Sequence, residues 1–116
     1  MLVTMLKSKL QDGVITESRE DYEGSIMIDE KIMNSMRLVE YEAVYVNSLE
    51  YDARHLTYVI PGEAGSGILS VRGALAQYFK EGDRVHINCF CSMTVDETSS
   101  HRPRVVKSNV YFSEKG

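Results

Sequence analysis

Apolar positions in this chain fall in short alternating runs broken by turn residues, the pattern of a small, mainly β domain. Leu2 to Lys9 alternates, Gly13-Val14-Ile15-Thr16 follows a turn, and Ser25 to Ile28 is a third extended run. Asp29 is placed to cap a short helix through Met36, in which Ile32, Met33 and Met36 recur at helical spacing. The methionine pair reads as core packing. Ala43 to Asn47 and His55 to Ile60 predict strands joined through Tyr51-Asp52-Ala53, and Ile68 to Val71 a strand leading into a brief helix over Gly73 to Phe79. Glu81-Gly82-Asp83 then turns the chain into what should be the longest strand, Arg84 to Met93. So many short strands with two small helices argue for a closed barrel, because closure removes exposed sheet edges.

Composition narrows the function classes. A chain of 116 residues, 43% hydrophobic, fits one domain, and at this size about 65% of the unfolded surface can be buried on folding. Thirteen basic against 17 acidic residues, a formal charge of -4, give no diffuse attraction to phosphate backbones, so nucleic acid is not an expected partner. The start Met1-Leu2-Val3-Thr4-Met5-Leu6-Lys7 lacks a charged leader followed by a long apolar run, and no stretch reaches the length that spans a bilayer. A cytoplasmic protein without a membrane partner is expected. Cys89 and Cys91, the only cysteines, would share one face of a strand and read as reduced core or interface thiols. Metal binding is not expected, since Cys-x-Cys with His86 would supply three ligands at best.

The chemistry centres on Gly24-Ser25 within Asp21-Tyr22-Glu23-Gly24-Ser25-Ile26-Met27-Ile28-Asp29. A serine after a glycine can attack its own preceding peptide: the hydroxyl oxygen adds to the Gly24 carbonyl carbon, the acyl group moves from nitrogen to oxygen, and the ester can eliminate. What remains is a keto group. Glycine suits the first position because, lacking a Cβ, it lets the peptide enter a strained conformation and leaves the carbonyl open. The same dipeptide recurs at Gly65-Ser66, where a turn is expected. A keto group matters because decarboxylating an α-amino acid needs a place for the electron pair that carbon dioxide leaves behind. Ordinary side chains offer none, whereas a keto group condensed with the substrate amine does.

Several separated motifs stand in the order and spacing of one family: Met5-Leu6-Lys7-Ser8-Lys9-Leu10, Tyr22-Glu23-Gly24-Ser25, Arg54-His55-Leu56-Thr57-Tyr58-Val59-Ile60 and Gly65-Ser66-Gly67-Ile68-Leu69-Ser70-Val71-Arg72-Gly73-Ala74. Glu81-Gly82-Asp83 and His101-Arg102-Pro103 extend the match. In these the chain resembles bacterial aspartate 1-decarboxylase. The resemblance implies a small closed double-psi β-barrel assembled as a homotetramer with active sites between neighbouring subunits. It also implies self-cleavage of this single domain, residues 1–116, into a β chain, 1–24, and an α chain, 25–116, giving four of each. Cleavage would generate a covalent pyruvoyl group from Ser25. The expected reaction turns L-aspartate into β-alanine and carbon dioxide for pantothenate and coenzyme A synthesis. Whether maturation is spontaneous or assisted by a maturation protein is left open.

The resemblance also implies residue roles. Tyr58 returns a proton to the substrate carbon, a task suited to a phenol that holds its proton at neutral pH. Thr57 serves the self-processing site as the oxyanion forms, and a local strand irregularity is expected there. Arg54 offers a planar fork of donors to a substrate carboxylate. Lys9 adds positive charge near substrate or the new Gly24 carboxylate. Gly73, Ala74 and Leu75 present backbone groups at a helix start, and Tyr22 shapes the pocket. Three positions depart from the family: Arg72 where asparagine is usual, Gln11 where histidine is usual, and Leu75 where a small alanine is usual. Arg72 could supply a second guanidinium to a substrate carboxylate. Two other readings remain: an uncleaved, non-catalytic barrel acting as an interaction module, and a pyruvoyl decarboxylase of another small acidic amino acid.

Overall fold

Strand pairing at the N-terminus runs straight through the position where a turn is expected. In the computed structural model, which describes residues 1–110, strand β1 spans Leu2–Val14. It absorbs the expected turn as a bulge: Asp12 takes φ 56°, and the register against the neighbouring strand shifts between Leu10 and Gly13. Aspartate enters this left-handed geometry more readily than most residues because its short side chain bonds locally. At 13 residues β1 is therefore longer than the 11-residue strand Arg84–Thr94 that the pattern marks as longest.

Along the chain β1 is followed by β2 (Glu17–Arg19), β3 (Ser25–Asp29), helix α1 (Glu30–Met36), β4 (Ala43–Ser48), β5 (Arg54–Gly62) and β6 (Leu69–Arg72). A 3-10 helix at Gly73–Gln77, β7 (Arg84–Thr94), α2 (Val95–Thr98) and β8 (Arg104–Val106) complete it. The brief helix expected over Gly73 to Phe79 is thus a shorter 3-10 segment, and the second α-helix lies elsewhere. At α2 the Thr94 side chain accepts from the Glu97 N–H while the Glu97 side chain accepts from the Thr94 N–H, a reciprocal cap that holds a single turn.

The strands form one ladder in the order β2-β6-β3-β5-β4-β7-β1-β8. Only Ile15 and Thr16 separate β1 from β2, and their N–H groups bond to Asp83 C=O (2.9 Å) and Leu69 C=O (2.8 Å). Since β1 lies beside β7 and β2 beside β6, the ladder returns to its own beginning. This is the closed barrel expected from the strand pattern. Its parallel pairs β2·β6 and β3·β5, set among antiparallel ones, tie the first half of the chain to the second in the double-psi manner.

Inside the barrel sit Ile26, Ile28, Val44, Val59, Leu69, Val71, Phe79, Val85 and Ile87, and α1 adds Ile32, Met33 and Met36 as core residues. Cys89 belongs to the same core. Burial and its hydrogen bond to Glu42 (3.2 Å) push its thiol up to about 12. Cys91 is half-buried on the same strand, whereas His86 has the opposite parity and its Nδ1 accepts from the Asp12 N–H (3.2 Å).

Asp29 holds the start of α1 to the loop between β5 and β6. Fully buried, its carboxylate accepts from the N–H groups of Lys31 (2.8 Å), Gly65 (3.0 Å) and Gly67 (2.7 Å). Gly65-Ser66 is the expected turn, with Gly65 at φ 84° and the Ser66 N–H bonded to Glu63 C=O. Replacing Asp29 with alanine would strand three backbone donors at once, so Asp29→Ala should lower stability by about 2–4 kcal/mol. Urea unfolding followed by circular dichroism should show the midpoint falling with an unchanged slope; an unshifted midpoint would show that water replaces the carboxylate at no cost.

Candidate active site

Where β6 ends, the chain needs a residue with no side chain. Gly73 adopts φ 68°, and a Cβ built there would lie 2.5 Å from Gly24 N, 2.6 Å from Gly24 Cα and 2.8 Å from the Tyr22 carbonyl oxygen. The loop between β2 and β3 is seated directly on this backbone. At Gly24 itself a Cβ would find the Arg72 carbonyl oxygen at 3.9 Å and nothing closer. The position that cannot take a side chain is therefore Gly73, while Gly24 has room around it, in keeping with an accessible carbonyl. Ser25 follows as the first residue of β3, paired in register with Arg72 and 3% exposed. Its hydroxyl donates to the Glu23 carbonyl (3.4 Å).

Gly24 also borders a cavity of about 330 Å³, together with His55, Leu56, Thr57, Tyr58, Ala74, Leu75 and Tyr78. Five residues singled out in the sequence, Gly24, Thr57, Tyr58, Ala74 and Leu75, are thereby brought together. Thr57 needs no strand irregularity to be among them. β5 pairs with β4 without a break from Arg54 to Tyr58, and the cavity meets the strand at four consecutive positions, His55 to Tyr58. The Tyr58 hydroxyl has no hydrogen-bond partner among the described residues, and its ring stands 6.0 Å from that of Tyr41. Leu75, where the family usually has alanine, is 7% exposed and takes up cavity space with its longer side chain.

His55 and Tyr78 are wall residues that the sequence reading missed. Their rings stack with centroids 4.1 Å apart, and His55 meets Phe79 edge-on at 5.8 Å. Tyr78 is fixed from behind: the Tyr51 hydroxyl donates to the Tyr78 carbonyl (2.7 Å) and to the Asp83 carboxylate. That carboxylate pushes the Tyr51 phenol up to about 12. Aromatic residues at positions 51, 55, 78 and 79 become neighbours only through the fold. A histidine inside the quoted Arg54-to-Ile60 motif was the one available signal.

The charged candidates lie elsewhere in the single chain. Lys9 is on β1, between Asn88 of β7 and Val105 of β8. The Arg54 guanidinium sits over the Tyr45 ring, 4.9 Å from its centroid. Arg72 turns to Glu17 (3.3 Å) and Ser70 (3.3 Å), with Tyr22 against its guanidinium. Tyr22 is 44% exposed, outside the cavity lining. Among the described residues, no lysine or arginine borders the cavity. Among the described residues there is no cluster of three or more His, Cys, Asp and Glu groups placed to hold a metal ion. No helix there is long and apolar enough to cross a membrane.

This arrangement has relatives. The sequence profile of the aspartate decarboxylase family matches residues 1–111. An aspartate 1-decarboxylase of Clostridium acetobutylicum is 45% identical over 109 residues, covering 94% of this chain and 86% of that protein. One from Caldicellulosiruptor saccharolyticus is 41% identical over 106 residues, covering 91% and 83%. Among solved structures, a computationally designed protein, msDPBB_sym2, aligns with a TM-score of 0.45 at 15% identity over 75% of this chain and 96% of its own. With the profile spanning nearly every residue and Gly24, Thr57 and Tyr58 meeting at one cavity, the chain belongs to the aspartate decarboxylase family.

Proposed function

We propose that this chain cuts itself between Gly24 and Ser25 and, once cut, decarboxylates L-aspartate to β-alanine and carbon dioxide for pantothenate and coenzyme A synthesis. The observation that carries the reading is the seat of Gly24 on Gly73, at the wall of a cavity that also holds Thr57 and Tyr58. Residues 1–24 would form the β chain and 25–116 the α chain.

The acyl shift uses only the chain's own atoms, and the last step of maturation consumes one water. The Ser25 oxygen leaves the Glu23 carbonyl and attacks the Gly24 carbonyl carbon, and its proton passes to the Ser25 nitrogen as the carbon–nitrogen bond breaks. The Thr57 hydroxyl donates to the oxyanion that forms. Loss of the Ser25 Cα proton then expels Gly24 as a carboxylate, and hydrolysis of the remaining enamine releases ammonia and leaves a pyruvoyl group at position 25. The Gly73 notch and the deep burial of Ser25 fit such a group, since the residue follows Gly24, which borders the cavity, and lies away from bulk water. When present, the pyruvoyl group supplies the electron sink that decarboxylation requires.

Tyr58, with an unpartnered hydroxyl at the cavity, protonates the substrate carbon after carbon dioxide departs. Ala74 and Leu75 line the same cavity, next to Gly73 in the chain. Exposed apolar residues near the site support a homotetramer of four α and four β chains: Leu56 is 61% exposed, Val39 67% and Tyr41 68%. In that assembly Lys9, Arg54 and Tyr22 would act across a subunit boundary, with Lys9 and Arg54 meeting the carboxylates of aspartate in a neighbour's cavity. Two free cysteines fit a reducing, cytoplasmic setting.

Purified protein, held without any added factor, should resolve into two chains under denaturing mass spectrometry, the larger lighter by one ammonia than a fragment beginning with Ser25. Ser25→Ala should remain a single chain, and a split at the same bond in that variant would remove Ser25 from the chemistry. An intact parent that splits only in cell extract would point to a maturation protein.

Thr57 and Tyr58 act in different reactions and should separate. Thr57→Val should slow splitting, whereas Tyr58→Phe should split normally and lose about 10²- to 10⁴-fold in β-alanine formation, the usual worth of general acid catalysis. Near-parental turnover in Tyr58→Phe would exclude it as the proton donor.

A further inference from the structure

Arg72 occupies a position where its charge invites a substrate role, yet its guanidinium already has partners at Nε, at Nη2 and on its face. Nη2 lies 3.3 Å from Glu17 Oε1, and Nε donates to Ser70 Oγ at 3.3 Å. The Ser70 hydroxyl in turn donates to the same Glu17 oxygen at 2.7 Å. Ser70 is fully buried and the Arg72 side chain is only 15% exposed, while Glu17, at 36%, closes the triangle from its solvent side. The guanidinium also lies over Tyr22, with Cζ 4.2 Å from the ring centroid. Arg19, held by two bonds to Asp21, reaches the same ring at 4.8 Å. Arginine can serve both purposes because its donors lie in the guanidinium plane while the faces of that plane stay free for an aromatic ring.

The far end of this contact matters for the chemistry. Tyr22 is two residues before Gly24, and its carbonyl oxygen is one of the atoms seated in the Gly73 notch. Arg72 therefore links β2 and β6, through Glu17 and Ser70, to the segment that carries the scissile carbonyl. We propose that Glu17, Ser70 and Arg72 form a positioning clamp for self-cleavage, in which Arg72 grips the Tyr22 ring and keeps Tyr22 to Gly24 pressed into the notch, so that the Gly24 carbonyl stays presented to Ser25. The clamp rests on the cleavage reading above and makes Arg72 a positioning residue of the precursor. As a substrate anchor Arg72 would first have to leave Glu17, Ser70 and Tyr22 together.

Attack by a hydroxyl on its own preceding carbonyl depends steeply on geometry; a displacement of about 1 Å can cost 10²-fold. The test follows the full chain from synthesis in a cell-free reaction, with the uncut fraction read by mass spectrometry. Arg72→Ala should slow splitting about tenfold or more, Glu17→Gln should act in the same direction by less, and both should melt close to the parent. Millimolar guanidinium ion, supplied to the vacated site, should accelerate splitting of Arg72→Ala and leave Thr57→Val unchanged. Parental splitting in Arg72→Ala overturns the clamp, all the more if the cut variant shows a raised KM for aspartate. Slow splitting that guanidinium does not rescue also overturns it, because a merely structural loss would behave that way. A parent chain that never splits would instead sink the cleavage reading, and the clamp with it.

Discussion

The exclusion of atoms at position 73 is the constraint on which the site depends. With φ at 68° and no side chain, Gly73 lets the backbone of Tyr22 to Gly24 come closer than any Cβ would permit. Three features follow from that approach. Gly24 reaches the cavity, Ser25 enters β3 buried and opposite Arg72, and Tyr22 falls within range of the Arg72 guanidinium. An alanine at 73 would not weaken one contact among many; it would displace the segment that holds all three.

Buried polar groups, as much as apolar packing, keep the barrel's distant segments in register. Asn109 is fully buried and stitches three places together: its Oδ1 accepts from the Val14 N–H (2.7 Å), and its Nδ2 donates to the carbonyls of Val14 (3.0 Å) and Gly67 (2.8 Å). Asp29 does comparable work at the other end of the Gly67 loop. The His101 ring nitrogen adds a 2.7 Å contact with the Leu6 carbonyl, holding the segment after α2 against β1. Each joins residues far apart in sequence, where loss of one partner leaves a desolvated donor or acceptor.

Features governed by local rules were legible in the chain. Asp29 followed by Ile32, Met33 and Met36 specified α1 and its cap, and alternation located β3 to β7 to within a few residues. The chemistry at Gly24-Ser25 could be read because the reacting atoms are sequence neighbours. The unread features arise from pairing between remote segments. Asp12 looks like a turn residue, and only pairing with β7 on both sides makes it a bulge. β2 and β8 have three residues each, too few for periodicity, and exist because β6 and β1 offer them partners. Arg72 was legible as a charge but not as a charge already matched, since Glu17 stands 55 positions away.

The placement of the scissile bond has a thermodynamic consequence. β1 is hydrogen-bonded along its length to β7 and also holds β8, while β2 pairs with β6. The proposed cut after residue 24 would therefore leave a 24-residue segment, carrying β1 and β2, woven through a barrel that belongs to the other fragment and retained by the ladder with no peptide bond. Unfolding the cut molecule would become a dissociation: its midpoint would depend on concentration, and recovery would require two partners to meet again instead of one chain closing on itself. On the proposed cleavage, folding would have to come first and cutting second, so that the precursor alone would carry a reversible folding equilibrium and a cut molecule would persist by kinetic retention.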